Sequence, residues 1–102
     1  MDAAATAAAL SAFFRTLSGG EVQVFGDHTL YRLAAFGYVV TRVEAEGGTA
    51  FVLSDVDGPL VEVGALVVDA QGRLRVAHGE VDEATRAALE RFVDEAVRPQ
   101  LT

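Results

Sequence analysis

The chain contains no cysteine, no tryptophan and, among its eight basic residues, no lysine. Without cysteine there are no disulfides, no thiolate nucleophile and no Cys-ligated zinc or iron–sulfur site. Histidine is scarce as well: His28 and His78 stand far apart in the sequence and share no local motif. Apolar runs are only a few residues long, far below the roughly 20 needed to cross a bilayer. Positive charge is in the minority, with 8 basic against 15 acidic residues and a net charge of −7. That balance opposes approach to phosphate, so neither nucleic acid nor an anionic membrane is an expected partner. The use of arginine alone, beside abundant Ala, Val and Gly, fits a GC-rich bacterial genome rather than a function. The run Ala3–Leu10 is not read as a secretion signal, because Asp2 stands where such a signal carries positive charge, and a cytoplasmic location is expected.

Local chemistry is equally thin. Ser11, Ser18 and Ser54 belong to no nucleophile elbow, and Gly19-Gly20 and Gly47-Gly48 lack the context of a phosphate-binding loop. Asp55-Val56-Asp57-Gly58 has the look of the start of a calcium loop, but the twelfth position, where a bidentate Glu belongs, is Leu66. No catalytic residue, metal site or cofactor is therefore assigned, and the reading leans away from an enzyme. Arg73 and Arg75 flank Leu74 and form a small basic spot on the outside of their strand. On an edge strand, such charge also guards against aggregation.

What the sequence does carry is a framework. Asp2–Leu17 reads as a helix capped by Asp2, with Leu10, Phe13, Phe14 and Leu17 on one stripe and Ser18-Gly19-Gly20 ending it. Glu21–Phe25 reads as a short strand. His28–Phe36 is read as a helix, because Leu30, Leu33 and Ala34 recur at helical spacing and Gly37 suits the residue after its end. The competing reading is a strand paired with Glu21–Phe25 across Gly26-Asp27. Tyr38–Ala45 and Thr49–Ser54 form a hairpin about Gly47-Gly48, in a register that pairs Ala45 with Ala50, Val43 with Val52 and Thr41 with Ser54. After a loop at 56–59, Leu60–Asp69 and Arg73–His78 form a second hairpin around Ala70-Gln71-Gly72, with Val68 facing Leu74 and Leu66 facing Val76. A closing helix starts at its cap Asp82, buries Leu89, Phe92, Val93, Ala96 and Val97, and is stopped by Pro99.

Three stretches carry resemblances. His28–Phe36 followed by a Gly-turned hairpin resembles the recognition helix and wing of winged-helix proteins, which implies DNA binding. Against that, the helix offers only Arg32 and His28, and the wing tip reads Glu44-Ala45-Glu46, where contact with phosphate needs positive charge. Val63–Arg73 resembles the first hairpin of roadblock-type scaffolding domains. The order of a helix, Gly37-Tyr38, a central meander and a closing helix is similar to YbjN and type III secretion chaperone-like domains, which implies a dimeric binding module.

These readings combine into a single α+β domain over residues 1–102. Its antiparallel sheet of about five strands has the N- and C-terminal helices packed on one face. In the expected register, Tyr38, Val40, Phe51 and Leu53 lie away from those helices or only partly under them. Such an apolar patch calls for a cover, so these four residues are expected at a homodimer interface. The expected function is a non-catalytic, adaptor- or chaperone-like protein-binding module whose acidic surface meets a further protein. The alternative is a small-ligand binder or minor enzyme with a pocket between sheet and helices, using His28, His78, Tyr31 or Tyr38.

Overall fold

The computed structural model describes residues 2–57 and 61–101. Gly58, Pro59 and Leu60, in the expected loop and at the expected strand start, lie outside those residues. Helix α1 (Ala3–Leu17) is followed by strands β1 (Val22–Phe25), β2 (His28–Leu33), β3 (Tyr38–Ala45), β4 (Gly48–Asp55), β5 (Glu62–Val68) and β6 (Leu74–His78), and then by helix α2 (Glu83–Phe92). The strands form one six-stranded antiparallel sheet in the order β1-β2-β3-β4-β5-β6, each paired with its neighbour in the chain. The fold is α+β, with one strand more than expected. No helix among the described residues is long and apolar enough to cross a membrane.

The extra strand is β2, which replaces most of the helix expected over 28–36. Leu33 and Tyr31 point to the core from alternate positions, and Gly26, with φ 59°, supplies the positive φ at the first turn position of the β1–β2 hairpin. Helical periodicity survives only as a single 3-10 turn, Ala34–Phe36, closed by Gly37 at φ 78°. Sheet pairing on both sides of β2 outweighs a helix of two turns, which has little stability of its own.

Both helix caps form as expected. Asp2 Oδ1 accepts from the Ala5 amide at 2.7 Å, and Asp82 Oδ1 accepts from the Thr85 amide at 2.7 Å. Pro99 does not end the second helix. After Phe92 the chain widens into a π-helical turn at Val93–Val97 and then tightens into a 3-10 turn at Arg98–Leu101, which carries Pro99. Arg98 N–H donates to the Val93 carbonyl across the wider turn, and Pro99 has no N–H to give.

The β5–β6 register is the expected one, with Val68 opposite Leu74 and Leu66 opposite Val76. Asp69 holds its turn by accepting from the Gln71 and Arg73 amides at 2.9 and 3.0 Å. The β3–β4 register differs by two positions. Ala45 pairs with Gly48, Val43 with Ala50 and Thr41 with Val52, so Glu46-Gly47 forms the turn. Only Gly47, at φ 84°, needs a left-handed conformation there, the pattern of a type II rather than a type I′ turn. A shift of two leaves every side chain on its expected side of the sheet.

Leu10 and Phe14 from α1, with Leu89, Val93 and Val97 from the closing helical segment, meet Tyr31, Leu33, Val40, Phe51, Leu53, Leu66 and Val68 of the sheet in one core. Phe14 packs against Phe51 at 5.4 Å between ring centroids and against Tyr31 at 6.2 Å.

Candidate functional site

The core identifies which sheet face the helices cover, and it is the opposite of the one expected. Val40, Phe51 and Leu53 are fully buried inside the chain's own core, and Tyr38 is half-buried with its ring 5.3 Å from that of Phe92. These four residues cannot be an exposed interface. Both faces of the β3–β4 ladder are apolar, so alternation alone does not choose between them. The face with the larger side chains removes more apolar area from water when covered, and it takes the helices.

The other face therefore has none of the described helices over it. Across β3, β4 and β5 it presents Thr41, Val43, Ala50, Val52, Ala65 and Val67, all half-buried and none charged. Arg32 on β2 and Arg75 on β6 flank this strip, and Phe25 on β1 lies on the same side, 57% exposed. At the β1 end the face deepens into a cleft of about 440 Å³, lined by Gly20, Glu21, Val22, Gln23, Leu30, Arg32, Val39 and Val56. Val39 is nearly buried in its floor, and Arg32 and Glu21 face each other at 3.6 Å on its rim.

The charged groups on the helix-bearing side are engaged with one another. Arg42 donates to Ser11 Oγ at 2.6 Å and to Glu44 Oε1 at 2.8 Å, and its guanidinium lies 5.8 Å from the Phe51 ring centroid. Thr49 Oγ1 donates to Glu44 Oε2 at 2.9 Å. Hydrogen bonds from Arg42, then from Thr49, hold the Glu44 carboxyl below its ordinary range. This network ties α1 to the sheet.

The four residues of the ligand-binding alternative are not brought together. His28 sits at the β1–β2 turn, with Nδ1 3.0 Å from Asp27 Oδ1. Tyr31 is buried against Phe14, and Tyr38 packs on Phe92, where burial and then the nearby Asp55 push its phenol above the usual range. His78 lies at the opposite end of the sheet from His28, with Nε2 3.2 Å from Glu90 Oε1 and Nδ1 buried without a hydrogen-bond partner among the described residues. His78 lines a hollow of about 170 Å³ between β6 and the closing helix. The charged side chains there pair among themselves, Asp94 with Arg98 at 3.1 Å and Glu90 with His78. Among the described residues no group of three His, Asp or Glu is placed to hold a metal ion. Leu66, the twelfth position of the calcium-loop count, is in the core.

The sequence reading missed the cleft. Its signal was present in the uncharged Val22-Gln23-Val24-Phe25 segment beside Leu30 and Val39, but only the β1–β2–β3 pairing brings these together. No known protein family, curated protein or solved structure gives a significant match to this chain.

Proposed function

We propose that this chain is a non-catalytic protein-binding module, adaptor- or chaperone-like, that works as a homodimer. The helix-free sheet face is its docking platform. One observation carries the reading: the central strip of that face is uncharged over three strands in a chain of net charge −7. Most of the acidic residues are instead on the helical side and in the turns, with Glu21 and Glu62 at the margins of the helix-free face. A protein partner that suits this arrangement brings an apolar surface to the strip and basic groups to the acidic residues that lie beyond the flanking Arg32 and Arg75. Contiguous apolar faces on soluble proteins mark such interaction sites.

Two measurements test the reading. Sedimentation velocity at high micromolar concentration is expected to give a dimer, and a monomer there removes the homodimer. Val52→Lys places a charge in the middle of the strip. It is expected to leave folding intact and abolish binding to a partner identified with the unmodified protein. Retained binding excludes this face.

A further inference from the structure

The two edges of the sheet are not alike. At the β6 edge, Arg73 and Arg75 supply the charge that guards a strand against edge-to-edge pairing, and His78 is engaged by Glu90 of α2. The β1 edge, Val22-Gln23-Val24-Phe25, has no charge and no proline, and among the described residues no strand pairs with its outer side. Val24 and Phe25 are 69% and 57% exposed, the two most exposed large apolar residues of the described chain.

The phase of β1 is fixed by its hairpin. A two-residue turn makes Phe25 and His28 a hydrogen-bonded pair, and the Arg32 amide donates to the Glu21 carbonyl at 3.1 Å in the same phase. Phe25, Gln23 and Glu21 thus direct their main-chain groups inward to β2, whereas the Val24 N–H and C=O and the Val22 C=O point outward, the Val22 N–H being donated to the Gly20 carbonyl at 2.9 Å. Water or another extended chain satisfies such groups.

We infer that a second copy of this chain supplies that strand, β1 pairing antiparallel with β1 of its partner about a two-fold axis normal to the sheet, with each Phe25 entering the other copy's cleft. The inference rests on the homodimer reading above and names the surface that forms it. Symmetry about such an axis requires a residue to face its own copy. With Gln23 at the centre, Val22 faces Val24 of the second copy on the helix-bearing side, twice over. On the helix-free side, Phe25 falls opposite Glu21, at the mouth of the cleft floored by Leu30 and Val39. Centring on Val24 instead sets Glu21 against Asp27, two carboxylates, and leaves Phe25 opposite Gln23. The Gln23-centred register thus pairs apolar side chains on the helix-bearing side, sets no carboxylate against another, and fills a cavity with the ring that the fold leaves exposed. Both helix-free faces then join into one wider platform.

The absence of cysteine makes the test direct. Gln23→Cys places one thiol per chain opposite its own copy, at a non-hydrogen-bonded position where Cα atoms approach to about 4.5 Å, within disulfide range. Under mild oxidation Gln23→Cys is expected to cross-link as a dimer and Gln71→Cys, at the β5–β6 turn, is not. In sedimentation, Val24→Lys is expected to halve the mass of the unmodified dimer, while Val67→Lys on the helix-free face leaves it dimeric; circular dichroism and melting temperature monitor the fold of each. If Val24→Lys remains a dimer and Gln23→Cys fails to cross-link, the edge pairing is overturned while the homodimer stands. An unmodified protein that is monomeric at high micromolar concentration overturns both. If Phe25→Ser leaves the affinity of self-association unchanged, the ring does not enter the cleft.

Discussion

Gly64 is the residue on which the seating of α2 depends. A Cβ at this position would stand 2.5 Å from Leu89 Cδ2 and 2.7 Å from the Ala77 carbonyl oxygen. Its lack of a side chain lets the fully buried Leu89 lie directly on the β5 backbone. Gly64→Ala is expected to cost about 1–3 kcal/mol, as overpacking does. For a domain of this size each kcal/mol lowers the melting temperature by about 4–8 °C. Trimming Leu89 does not relieve it, because the Ala77 carbonyl is main chain and Leu89→Ala opens its own cavity. Thermal melts of Gly64→Ala and of the double variant check this, and an unchanged melting temperature refutes the close contact. Glu44 sets a pH dependence of defined sign. Its carboxyl titrates below the ordinary range in the folded chain, so its contribution to stability is present above the unfolded value and lost as pH falls through the folded one. Glu44→Gln is expected to be less stable than the unmodified protein near neutrality, with the gap closing between about pH 5 and pH 3. Denaturant titrations across that range measure it, and a gap that widens on acidification contradicts the assignment. The two caps at Asp2 and Asp82 were legible in the sequence, since each rests on a local bond between a carboxylate and an amide three residues on. Gly64 was not legible, because what it touches comes from β6 and α2.

At the scale of elements, the decisive comparison is between neighbouring positions on β4. Phe51 faces the helices and Val52 faces away from them. Phe51→Ala is expected to cost about 3–5 kcal/mol, whereas Val52→Ala, on the open face, is expected to cost under about 1 kcal/mol in the isolated chain. Equilibrium unfolding in urea separates the two, and equal losses mean that the helices do not cover the Phe51 side. Hydrophobic alternation revealed both faces of the β3–β4 pair but not their assignment, since both are apolar. The choice rests on volume, with Phe14 needing Phe51 and Tyr31 as neighbours. The β5–β6 register was legible because the Gly72 turn and the apolar alternation agree. The β3–β4 register slipped by two because Glu46-Gly47 and Gly47-Gly48 both make acceptable turns. The observed one puts Gly48 in the strand, where a Cβ would run into the Val68 carbonyl oxygen on β5. In β2, helical spacing and pairing partners point to different structures, and pairing prevails. No local pattern reports that a strand will have neighbours on both sides.

For the molecule as a whole, charge and apolar surface are separated: the −7 resides mainly on the helical side and turns, and the uncharged strip lies on the opposite sheet face. Two copies of such a chain repel at long range and attract only on contact. The proposed homodimer is therefore expected to tighten as salt rises from about 20 to 300 mM, because screening removes repulsion and leaves apolar contact in place. Sedimentation equilibrium at the two salt concentrations reads this, and weakening with salt indicates an interface held by ion pairs. The candidate surface was legible only as the existence of a spare apolar face. The cleft at β1 needed the third dimension, since its residues come from three strands and two loops. The meander also has a temporal consequence. Each hairpin can close as soon as its second strand leaves the ribosome, but Leu10 and Phe14 must wait for Leu66 and Val68, encoded far downstream, before they are enclosed. During synthesis, then, the greasy stripe of α1 stays unsheltered until β5 has followed it out, an interval in which a holdase has time to take hold of it.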